Sequence, residues 1–131
     1  MKMRLLIGLC MTLLARSATA APALYNCAFD STFEKETGLQ AQKKPLVRDY
    51  IYDPVAGGGV IIGNDLDVLV VKGAEAISFV TKGNEGSVDS TTIYLKDQKD
   101  NKFPAVLSVH EIRGALRPQQ WYGVCTLSQR G

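Results

Sequence analysis

The sequence predicts an all-β fold of about eight antiparallel strands, and three observations carry that expectation. From Pro45 onward, apolar runs of five to nine residues alternate with short segments rich in Gly, Asn, Asp and Pro. The runs are dominated by β-branched and aromatic side chains, the composition of strands. No long stretch repeats its apolar residues at the helical spacing of three and four.

The elements follow in order. A first strand is expected around Leu24 to Phe29, where alternation puts Tyr25, Cys27 and Phe29 on one face. Ser31 to Lys44, STFEKETGLQAQKK, is the one candidate for a helical turn, with a polar loop as the alternative; Gly38 interrupts it. PLVRDYIYD is a strand and PVAGGG the loop after it. VIIG, LDVLVVK, AISFVT, STTIYLK, FPAVLSVHEI and QQWYGVCTL follow, separated by GND, KGAE, KGNEG, DQKDNK and RGALRP. These separators are built from turn formers. In PAVLSVHEI, Ala105, Leu107 and Val109 form the core face, and Val106, Ser108, His110 and Ile112 the other. In the last strand Trp121, Gly123, Cys125 and Leu127 lie together. LDVLVVK is apolar on both faces, which predicts a central strand covered on both sides.

Eight such strands bury one face and protect their edges either as an up-and-down barrel, closed or partly open, or as a two-layer β-sandwich. The barrel is the expectation and the sandwich the alternative, because a bridge between cysteines on the first and last strands fits the barrel, where those strands are neighbours.

The chain opens MKMRLLIGLCMTLLARSATAAP. Lys2 and Arg4, the short apolar run Leu5 to Leu14 and the small residues of Ala18-Thr19-Ala20 form the three parts of a secretory signal peptide. Residues 1–20 are therefore expected to be a signal, cut between Ala20 and Ala21, and residues 21–131 a single secreted β-domain. Cys10 leaves with the signal. Leu9 precedes it where a lipoprotein would need a small residue. Lys2, Arg4 and Arg16 leave too, so twelve basic side chains face thirteen acidic ones in the remaining 111 residues, against +2 for the whole chain. No basic footprint for nucleic acid is left. Neither a polybasic membrane patch nor a transmembrane anchor is expected in the mature chain. The expected location is periplasmic or secreted.

Two cysteines remain, Cys27 and Cys125. In an oxidising compartment two thiols pair. The bridge closes a loop of 99 residues, which by chain entropy stabilises a domain by roughly 4 to 5 kcal/mol. A redox pair would sit as C-x-x-C, and zinc would need more ligands than two thiols and one histidine.

Catalytic patterns are absent. His110 is the only histidine, and Ser108 lies two residues away along the same strand face, about 6.5 to 7 Å off. That is too far for a nucleophile–base hydrogen bond. In GGGVIIGND, Gly58 and Gly63 have phosphate-loop spacing, but Asn64 stands where the lysine belongs. Asp65 and Asp67, or Asp97, Asp100 and Asn101, offer oxygens without the order of a calcium loop. Glu34 and Glu36 have no acidic partner placed for acid–base work. The expectation is a protein that is not an enzyme and carries no cofactor and no metal.

The aromatics offer a different candidate. Tyr50 and Tyr52 share a strand face with Arg48, while Tyr94 and Tyr122 fall on the face opposite the core. Converging, these five would form a shallow aromatic binding patch; apart, they are ordinary cross-strand packing.

The layout C…FVTKG…PAVLSVHEI…WYGVC resembles small exported bacterial proteins of unknown function, over most of the mature chain. That resemblance implies an extracytoplasmic β-domain. Tyr25-Asn26-Cys27 and the late Cys125 are similar to the frame of the periplasmic lysozyme inhibitors, a family of eight-stranded barrels. The family's inhibitory S-G-x-x-Y loop is not matched: Gly86-Ser87 has the reverse order and no tyrosine at the right distance, so no functional residue carries over. Together these point to a non-catalytic binding or structural module of the bacterial envelope, with an unknown partner that is an envelope or host protein. The alternatives are an inhibitor of a lysozyme-like enzyme, and a carrier of a small apolar ligand enclosed by residues such as Ile77, Phe79 and Ile93.

Overall fold

Every strand has a backbone edge on each side, and in this chain the sequence neighbours fill them in order. The strands are β1 (Ala23–Glu34), β2 (Gly38–Asp53), β3 (Gly58–Ile61), β4 (Leu66–Lys72), β5 (Ala76–Lys82), β6 (Val88–Tyr94), β7 (Lys102–Arg113) and β8 (Ala115–Gln129). Each pairs antiparallel with the next, and β8 returns to β1. The sheet is thus one closed ring rather than a two-layer sandwich. The structure, a computed structural model, describes residues 20–63, 66–83, 86–113 and 115–129. For 66–67, 111–113, 115–117 and 129 it describes the backbone alone. The expected leader, with Cys10, and Asp65 lie outside the described residues. Among those residues no helix is long and apolar enough to cross a membrane.

The ring is not an even barrel. β2 runs for 16 residues and β3 for four. β7, β8, β1 and β2 stand beyond the rest as a four-stranded wing, and the β3–β4 wall opposite is low. The segment STFEKETGLQAQKK builds this wing. It is neither helix nor loop but the two arms of the β1–β2 hairpin, turning at residues 35–37 into Gly38, whose φ of +72° only glycine adopts freely. Its inner face is polar, and its large apolar residues, Phe33 and Leu39, pair on the outer face and are exposed, so no inward apolar pattern marked it. Backbone pairing on both sides of β1 decides: Thr32 sits opposite Gln40 on β2 and opposite Trp121 on β8. A bulge at Asp30 shifts the register against both neighbours. On β2 the slack falls between Leu46 and Ala41, where Pro45 has no N–H to give to a ladder.

Alternation fills the ring. Phe29, Tyr50, Ile77, Phe79, Ile93 and Leu107 point inward and are fully buried, each burial contributing about 1.5 to 3 kcal/mol. Apolar side chains inside reverse the arrangement of membrane-spanning barrels, whose polar residues face the lumen. LDVLVVK is not covered on both sides. Val68 and Val70 pack inward, but Leu69 and Val71 are 67% and 58% exposed. A single ring has no second layer to cover them.

Cys27 and Cys125 face each other directly on β1 and β8, fully buried, and form a disulfide. The bridge locks the seam where the ring closes. Two residues before Cys125, Gly123 lies against β1 so closely that a Cβ would press into the Ala28 carbonyl and come within 2.6 Å of Phe29 Cα.

Candidate binding site

Arg48, Tyr50 and Tyr52 alternate with Val47, Asp49 and Ile51, and it is the first set that faces into the ring. Tyr50 stacks on Phe79 with ring centroids 4.6 Å apart, and Phe79 meets Tyr25 edge-on at 5.8 Å. The Tyr50 hydroxyl and Thr91 Oγ1 share a hydrogen bond of 2.5 Å. Arg48 Nη2 donates to Asp89 Oδ2 at 3.0 Å. Tyr52 lies toward the opposite end of the ring, with Lys72 Nζ 5.2 Å from its centroid, a cation–π contact. Tyr94 and Tyr122 stand on the outer face and are exposed. The five residues therefore do not converge: three line the interior and two lie outside.

Electrostatics follow from this placement. Burial alone would lower the Arg48 guanidinium, but the Tyr50 oxygen and the Asp89 carboxylate outweigh it and hold Arg48 above its ordinary value. Burial, and next Tyr52, push the Tyr25 phenol up.

Toward the wing the inner face turns polar. Gln42 Nε2 donates to Thr32 Oγ1 at 2.7 Å. Trp121 Nε1 donates to Gln119 Oε1 at 3.0 Å, and Gln119 Nε2 to Glu34 Oε1 at 2.8 Å. Thr81 Oγ1 donates to the Asp89 carbonyl at 3.4 Å. Arg48 and Asp89, with side chains 23% and 20% exposed, and Gln42, Gln119 and Glu34 put polar groups at this end of the ring, with Thr32 and Thr81 buried among them. Sequence reasoning missed Asp89 as a member. The signal was present in VDSTTIY, where alternation puts that carboxylate on the face of Thr91 and Ile93.

The outer face has its own pattern. One row around the girth reads Val71, Ser78, Thr92, Val106, Tyr122 and Ser31, each directly opposite the next. The row beside it reads Pro104, Val124, Ala28 and Val47. Neither carries a charge. Val47 is 62% and Val124 43% exposed.

The remaining candidates stand apart. His110 is exposed on the outer face opposite Val88, and Ser108 faces Ser90. Asp100 and Asn101, with φ of 52° and 57°, are the two central residues of the tight turn closed by Lys99 and Lys102, as a type I′ turn requires. Among the described residues no three His, Cys, Asp or Glu side chains gather as a metal site would need.

No family model matches this chain, and no curated protein or solved structure does. The buried intramolecular disulfide fits an oxidising compartment.

Proposed function

We propose that this chain is an exported, non-catalytic binding module of the bacterial cell envelope, and that its partner is a protein docking on the outer face. The two uncharged girth rows carry this reading. Exposed Val47, Val124 and Tyr122, with Pro104 and Ala28 beside them, make an uncharged, largely apolar surface across β7, β8, β1 and β2 on a chain whose strand ends are rich in Lys, Asp and Glu. Contiguous apolar surface of this kind marks interaction sites. The interior supports a binding module over a carrier of apolar ligands: Ile77, Phe79 and Ile93 pack on their neighbours instead of lining a space.

The test is capture. The mature domain, immobilised, is offered envelope extract from the producing cell and a panel of lysozymes, beside Val47→Lys and Val124→Lys. A saturable partner held by the parent and released by both variants at unchanged Tm is the expected result. Equal capture by the variants would move the interface off this face, and a lysozyme as the captured protein would favour the inhibitor reading.

A further inference from the structure

We propose a second binding site, separate from the outer face: the open edge of β2 in the wing, at residues 38–42, accepts an added strand, an extended and acidic peptide segment of another protein.

Backbone pairing points to this edge. On one side β1 accompanies β2 from Tyr52 to Gly38. On the other, β3 is four residues long and pairs only from Asp53 to Tyr50. The last bond on that side runs from the Ile62 N–H to the Asp49 carbonyl at 2.9 Å. Among the described residues no strand pairs with residues 38–48 there. Alternate N–H and C=O groups of an edge strand point away from its sheet, a template for another strand. The opposite margin of the wing is shorter: β6 follows β7 as far as His110 and leaves residues 111–113. Closing the ring therefore removes most edges but not this one.

Side chains set the length and the sign of the partner. Pro45 has no N–H, and the register of β2 breaks between Ala41 and Leu46. The regular edge therefore ends near Gln42. Leu39 is 67% exposed and Phe33 opposite it on β1 44%, so an added strand finds an apolar contact beside its backbone bonds. Residues 38–48 carry three charges, Lys43, Lys44 and Arg48, all positive. Arg48 is held by Asp89 at 3.0 Å, while Lys43 and Lys44 are exposed. The acidic groups nearby lie off the edge. Asp30 and Glu34 stand on β1, behind β2, and accept hydrogen bonds from Ser31 Oγ and Gln119 Nε2. Glu36 in the hairpin turn is next to Lys35. Asp49 is five residues along β2 from Lys44, about 16 Å, beyond the screening length of about 8 to 10 Å; Asp65 and Asp67 follow Ile62, which bonds to it. Acidic residues of an added strand would meet opposite charge at Lys43 and Lys44, and basic ones like charge. In strand addition the backbone supplies affinity and the side chains supply choice.

An unbiased phage-displayed library of linear peptides is selected on the immobilised mature domain and, in parallel, on the double variant Lys43→Glu/Lys44→Glu. One enriched peptide is then synthesised in three forms: unmodified, and N-methylated at alternate residues in each of the two phases. The expected result is enrichment of sequences with Asp or Glu beside β-branched residues, on the parent only. The unmodified peptide should bind with Kd of about 100 µM or tighter and slow amide hydrogen exchange within residues 38–42. One N-methylated phase should lose affinity tenfold or more while the other keeps it, since only alternate amides of an added strand face β2. The double variant should lose tenfold or more at unchanged Tm. The proposal is overturned if no peptide is enriched, if both N-methylated phases bind as well as the parent peptide, if the double variant keeps full affinity, or if protection falls on the outer face around Val124 instead. Slowed exchange within residues 38–42 in the domain alone, with a dimer mass in sedimentation, would give the edge to a second copy and overturn the peptide reading as well.

Discussion

Arg48 on β2 and Asp89 on β6 meet at 3.0 Å across the interior of the ring, four strands apart whichever way the sheet is followed. Two residues along the same two strands, Tyr50 and Thr91 repeat the contact at 2.5 Å. These paired crossings draw opposite walls together and accord with the uneven section of the ring. Asp89→Asn leaves the Arg48 charge with a neutral partner. Both side chains keep some contact with water, so the loss is expected to be about 1 kcal/mol, well below the 3 to 5 of a fully buried pair. Urea unfolding measures it, and a loss above about 3 kcal/mol would mean that solvent does not reach the pair.

The deeper crossing behaves differently. Thr91 is fully buried, so Tyr50→Phe strands its hydroxyl without its partner, at a cost of about 1 to 3 kcal/mol. Thr91→Val leaves the phenol with Arg48 as its remaining partner. The double variant removes both polar groups and is expected to lose less than the two single losses added. A double-mutant cycle reads the coupling directly, and strict additivity would show that the two hydroxyls do not depend on each other.

Gly123→Ala is expected to be among the most damaging single substitutions, at about 2 to 4 kcal/mol. The added methyl meets backbone of β1, which cannot move without breaking the seam. Gly58→Ala is the control: nothing lies within 4 Å of its added Cβ, and its cost is expected to stay within about 0.5 kcal/mol. Equal losses at the two positions would refute the steric account.

Tyr25 gives the protein an alkaline limit. Its phenol is raised above 10.0, by burial first and by Tyr52 second. The folded chain therefore holds that proton more tightly than the unfolded one does. The stability this supplies is complete below pH 10 and is lost as pH rises through the folded value. Tm measured from pH 8 upward should fall beyond pH 10, and less steeply in Tyr25→Phe. Superimposable curves would remove Tyr25 from the cause.

Much of the ring was legible in the chain. Ala105, Leu107 and Val109 announced an inward face by strict alternation, and with Cys10 set aside in the expected leader, Cys27 and Cys125 had one available pairing. Long-range relations were not. Arg48 beside two tyrosines reads as a surface motif, because the carboxylate that permits its burial lies 41 residues away on a strand it never pairs with. The wing was hidden for a related reason: Thr32 and Gln40 carry no apolar signal and are strand residues because neighbours on both sides supply hydrogen bonds. Leu69 and Val71 misled in the other direction, since apolar character on both faces implies a cover that this single-layer ring does not have. The polar groups around Arg48 come from β1, β2, β6 and β8 at once, and only Asp89 in VDSTTIY hinted at them.

The bridge between Cys27 and Cys125 also has a mechanical meaning. It lies close to both ends of the described chain, so a pull applied there passes from one end to the other through the sulfur–sulfur bond. The 97 residues between the cysteines are outside the path of the load. Pulled at its two ends, the oxidised domain would yield only its terminal residues. Once reduced, it would pay out roughly 340 Å of chain.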